Sequence, residues 1–136
     1  MRFMLLVLPK GYATAEPGFL PDPALVERMS RFNESLSRAG VLLTLDGLHP
    51  PATAARVAFA GGKPTVTDGP FAEAKEIVGG FWMIQVKSRA EAIEWARRAP
   101  MPDGDVIEVR QVHEAAEFSP PPGSRGAAPT GTGSLP

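Results

Sequence analysis

Met1-Arg2-Phe3-Met4-Leu5-Leu6-Val7-Leu8 and Gly80-Phe81-Trp82-Met83-Ile84-Gln85-Val86 are the two stretches whose reading decides the fold. Successive side chains of a strand point to opposite faces. In the first stretch Phe3, Leu5 and Val7 point one way and Met4, Leu6 and Leu8 the other. In the second, Trp82, Ile84 and Val86 stand opposite Phe81 and Met83. A sheet with helices on one side and water on the other alternates apolar with polar. These two strands do not, so they read as central strands that need cover on both faces. The first is not read as a signal peptide: its apolar core of about six residues stops at Pro9-Lys10-Gly11, with no small-residue cleavage pattern behind it.

Working outward, two more strands are expected at Val41–Leu48 and Val106–Val112, the latter alternating in part through Glu108 and Arg110. A hairpin, Arg56–Ala60 and Pro64–Thr67, turns at Gly61-Gly62. The first helix has Asp22 as its cap, Pro23 at its first position, an apolar stripe of Leu25, Met29, Phe32 and Leu36, and Gly40 to close it. The second opens on the capping box Ser88-Arg89-Ala90-Glu91 and stops at Pro100. Its buried stripe is expected on Ile93 and Ala96, flanked by Ala92, Trp95 and Ala99. The order predicts an α+β fold, a ferredoxin-like β-α-β-β-α-β sandwich with an inserted β-hairpin.

One domain has nothing left to cover the second face of its central strands. Exposing some five large side chains there forfeits roughly 1.5–3 kcal/mol each. A second copy of the sheet is the simplest lid, and a homodimer packed sheet to sheet is expected.

Composition narrows the function. The 136 residues suit one domain, with 43% hydrophobic and 21% charged residues in the globular range. The absence of cysteine removes disulfides and thiol chemistry and points to the cytosol. The net charge is −1, and basic residues are scattered rather than striped, which argues against nucleic acid as a partner. No segment approaches the ~20 apolar residues of a membrane span. Residues 119–136 contain fourteen Pro, Gly, Ser or Thr among eighteen, and read as a mobile tail.

The most distinctive segment is Thr67-Asp68-Gly69-Pro70-Phe71-Ala72-Glu73-Ala74-Lys75-Glu76, followed by Gly79-Gly80-Phe81-Trp82. Asp-Gly-Pro is a turn by its own chemistry, and Gly79-Gly80 allow close backbone approach. The segment resembles the signature of the YCII-related family, in particular its DGPF branch, through Asp68-Gly69-Pro70-Phe71, Glu73, Lys75-Glu76 and Gly80-Phe81. The resemblance extends over residues 1 to about 115, including Ala39-Gly40-Val41-Leu42 and Gly47-Leu48-His49-Pro50. It implies a ferredoxin-like fold that dimerises into an α/β barrel, and a family in which most members have no assigned reaction. It also implies a setting beside extracytoplasmic-function sigma factors. The YciI-like branch is thought to use a His–Asp pair with its histidine in the first helix; here that region, Met29-Ser30-Arg31-Phe32-Asn33, has none.

Asp68 is the first catalytic candidate, either as a general acid or base at a cavity mouth or as a turn former. His49 is its expected partner if the hairpin folds back, and otherwise a loop histidine before Pro50-Pro51. Tyr12, Phe71, Glu73, Lys75 and Trp82 are the expected substrate-binding residues. For Glu73 and Lys75 the plainer reading is charged surface, and for Trp82 it is packing core. Two distant histidines, His49 and His113, without cysteine do not make a metal site. Nucleotide loops and a nucleophile elbow are absent from the sequence. Any reaction here is therefore expected to be cofactor-free proton transfer on a small organic molecule. The alternative is a partner-binding module that uses the motif loop and hairpin.

Overall fold

The computed structural model describes residues 1–71, 74 and 76–118. Its elements run β1 (Arg2–Leu8), α1 (Pro23–Arg38), β2 (Leu42–Gly47), β3 (Ala55–Ala60), β4 (Lys63–Asp68), β5 (Gly80–Gln85), α2 (Arg89–Arg98) and β6 (Val106–Gln111). The fold is α+β. Four strands form an antiparallel sheet in the order β2-β5-β1-β6, and β3 pairs with β4 in a separate ribbon. The two doubly apolar strands are thus the central pair, with Leu5 opposite Trp82 and Leu6 opposite Phe81.

Local chemistry sets the helix ends. The Asp22 carboxylate accepts from the Ala24 amide at 2.9 Å, with Pro23 following where no amide is needed. Ser88 Oγ accepts from the Glu91 amide at 3.1 Å, and the Glu91 carboxylate reaches back to the Lys87 amide. Phe32 and Leu36 of α1 bury against the sheet, with Met29 half-buried beside them. On α2 the structure corrects the expected stripe. Ala92 is the fully buried residue, flanked by Trp95, Ala96 and Ala99, and Ile93 is only half-buried. The Trp95 ring packs edge-on to Phe32, 6.4 Å between centroids, and this large contact sets which side of α2 turns inward.

Both helices cover the face made by Phe3, Leu5, Val7, Trp82, Ile84 and Val86, which is the core. On edge strand β2, the register shifts between Leu42 and Thr44 and leaves Leu43 unpaired and exposed. That irregularity lets both Leu42 and Leu45 pack against the core. Met4, Leu6, Leu8, Phe81 and Met83 occupy the opposite face and are half-buried. Every residue of β3 and β4 is exposed, so the ribbon projects as an arm instead of lying down on that face. No helix among the described residues is long and apolar enough to cross a membrane. The expected mobile tail, residues 119–136, lies outside the described residues.

Candidate functional site

A cavity of about 740 Å³ opens where β1 hands over to α1. One wall is the strap of residues 9–22 that joins them. The others are the exit of β2 (Gly47, Leu48, His49), Gly79, the first turns of α1 (Leu25, Met29) and residues 101–105 before β6. Pro9 ends β1, and the chain then makes a 3-10 turn at Tyr12–Thr14. Tyr12 Oη donates to the Leu48 carbonyl, and its ring meets Phe19 edge-on at 5.9 Å between centroids. The strap is thereby tied to the end of β2.

Gly79 explains why the strap sits so close. A β-carbon there would lie 2.5 Å from Pro9 Cγ, which real structures do not tolerate. Its amide donates to the Val7 carbonyl at 2.8 Å, and its own carbonyl accepts from the Leu48 amide at 2.9 Å. Gly79 therefore joins β1 to the β2 exit at the floor of the cavity.

The lining is mostly apolar, with Lys10, Tyr12, Asp22, His49, Asp103 and Asp105 as its polar members. The Asp105 carboxylate accepts from the Lys10 amide at 2.9 Å, and the Asp22 carboxylate is engaged in the helix cap. Burial raises the Tyr12 hydroxyl above its ordinary pKa, so it stays protonated as a donor. His49 is exposed at the rim. Among the described residues no group of three His, Cys, Asp or Glu is placed to hold a metal ion.

A second compartment, about 240 Å³, adjoins the first and shares Val7, Met29, Gly47 and Gly79 with it. It runs between α1 and strands β2 and β5, and Ser30, Asn33 and Trp82 line it. Trp82 is buried, its ring edge-on to Phe32 at 5.1 Å, and its indole N–H donates to Asn33 Oδ1 at 2.6 Å.

The structure thus brings Tyr12 and His49 to one cavity and Trp82 to the adjoining one. It does not bring Asp68 to either. Asp68 ends β4, paired with Ala55, and its exposed carboxylate has no hydrogen bond among the described residues. The motif beside it has evident packing roles. A β-carbon on Gly69 would fall 1.8 Å from the Pro51 carbonyl oxygen, and the Gly69 amide donates to Ala54 at 2.8 Å. Phe71 is half-buried under the Arg56 guanidinium, 4.0 Å from its ring centroid, which ties the motif loop to the root of the arm. Glu73 and Lys75 lie outside the described residues. Sequence reasoning passed over Lys10, Met29 and Asn33. The only signal for Asn33 was its place three residues after Ser30, on one side of α1.

The model of the YCII-related domain matches residues 1–116. The chain belongs to the YCII-related family. This YCII-related chain is also similar to an uncharacterized protein of Rhizobium meliloti (strain 1021), 36% identical over 76 residues. That match covers 56% of this chain and spans 61% of the relative's own length.

Proposed function

We propose that this YCII-related protein binds a small organic molecule in the 740 Å³ cavity, as a homodimer whose ferredoxin-like sandwiches pack sheet to sheet into an α/β barrel. The cavity is the observation that carries the reading. Ligand sites for small molecules fall at roughly 300–1,000 Å³, with apolar walls and few polar groups. Lys10, Tyr12, Asp22, His49, Asp103 and Asp105 are those groups here, with Asp22 and Asp105 already accepting from backbone amides. Proton transfer in the cavity falls to His49, whose imidazole lies at its rim. Asp68 stands outside both compartments, so the geometry supports binding better than catalysis by an Asp68–His49 pair. The dimer rests on the apolar far face of the sheet described above.

A thermal-shift screen of small aromatic and alicyclic compounds tests the cavity, because a ligand raises apparent stability by mass action. Hits are expected with the natural chain and not with Ala15→Phe, which fills the space. A screen without hits, or an unchanged response in the filled variant, contradicts the proposal.

One observation favours a second reading. The arm exposes Val57 (51%), Phe59 (77%) and Val66 (65%), an apolar surface suited to recognising a protein partner. In this reading the domain is a non-catalytic module, tied to control by extracytoplasmic-function sigma factors. Phe59→Ser would then abolish the partner's binding and leave small-molecule hits unchanged.

A further inference from the structure

The smaller compartment holds a hydrogen-bond donor whose direction is set by the core. An indole N–H is only a donor, so the atom of Asn33 facing Trp82 must be the carbonyl oxygen. The amide is planar, and its NH2 group is therefore turned away from the indole. Among the described residues nothing accepts from that NH2 group. Asn33 itself lines the 240 Å³ compartment, with Ser30 one turn earlier on α1. Thus two polar side chains of α1 serve a compartment otherwise walled by Val7, Val26, Met29, Leu45, the Trp82 indole and backbone. No Lys, Arg or His is in that lining, and Asp46, opposite Phe81 in the register, turns its side chain to the far face of the sheet.

From this we infer that the compartment is the head-group site of the proposed ligand, and that it selects a neutral carbonyl oxygen, such as that of a ketone, ester or amide. The inference rests on the cavity reading above and names its substrate class. Asn33 Nδ2 donates to the carbonyl, and the apolar body of the molecule extends past Met29 into the larger cavity. A carboxylate is disfavoured because no cation in the lining offsets the loss of its hydration. A hydrocarbon is disfavoured because it shields the NH2 group from solvent and offers no acceptor in return.

Calorimetric titration at neutral pH with benzylacetone, hydrocinnamate and butylbenzene tests the assignment. These share an aromatic body and differ in the head group. Benzylacetone is expected to bind about tenfold more tightly than either of the others, the weight of one hydrogen bond. Asn33→Asp keeps an acceptor for Trp82 and removes the donor. It should erase the advantage of benzylacetone over butylbenzene, with tryptophan emission of the free protein unchanged. If that variant does not fold, Val26→Phe fills the same compartment from an exposed position and should erase the advantage likewise. Equal binding of all three compounds, a preference for hydrocinnamate, or a preference that survives in the folded variant overturns the inference while leaving the cavity reading intact. If none of the three binds while the broader screen gives hits, this inference alone falls; if the screen is also empty, both fall.

Discussion

The two faces of the central sheet have nearly the same composition and opposite fates. Phe3, Leu5, Trp82 and Ile84, on the helix side, are exposed by 3% or less. Met4, Leu6, Phe81 and Met83, one residue out of step along the same strands, are only half-buried. Leu5 and Leu6 are adjacent, chemically identical and share one backbone. What separates them is which side the two helices chose. The comparison teaches that apolar patterning states a demand for cover, while the two helices of this chain meet that demand on one side only.

The largest expected effect comes from breaking the covered side. Leu5→Ala should cost about 2–5 kcal/mol in denaturant unfolding, because Leu5 is fully buried in the core cluster and its loss leaves a void there. Leu6→Ala sharpens the contrast. If a second copy covers the far face, its cost should approach about 1.5–3 kcal/mol and should depend on protein concentration. A cost below about 1 kcal/mol at every concentration would leave that face bare.

Smaller effects belong to the margins of the sheet. Glu114 accepts from Arg2 Nε through both oxygens, near 3.0 Å, beyond the end of β6. The hydrogen bond from Arg2, followed by the Arg2 charge, lowers the Glu114 pKa below the ordinary glutamate value despite a partial opposing effect of desolvation. A lowered folded-state value means the contact contributes above the ordinary glutamate range and is lost as pH falls through the folded-state value. Following the Arg2 Nε proton by NMR through acid titration should show its release below that range and no global unfolding at the same point. Smallest of all, Asp68→Asn should change stability by no more than about 0.5 kcal/mol, since the side chain is exposed. It should also leave ligand hits in the 740 Å³ cavity unchanged. Loss of those hits would return Asp68 to the site.

Much of the fold was legible because its signals are local. Asp22-Pro23, Ser88 with Glu91, and the alternation of β1 and β5 each act within a few residues. The stripe of α2 is not legible locally, because the contact of Trp95 with Phe32 crosses between helices and leaves no mark in the sequence pattern. The site was less legible for the same reason. Its cavity is assembled from residues 9–22, 47–49, 79 and 101–105, which meet only when folded. Tyr12 and His49, which line the cavity, stand out in sequence by their chemistry. Asn33 does not, because its meaning depends on a bond to Trp82 that spans 49 residues of sequence. The motif at Asp68 showed its turn chemistry in sequence, but not its distance from the cavity floor.

Light scattering coupled to size exclusion at micromolar concentration tests the claim about the far face most directly. A mass twice that of the 14.4 kDa chain, reduced to a single chain in Leu6→Lys with helix and strand content retained, is the expected result. A natural chain that elutes as a stable, folded monomer would contradict it.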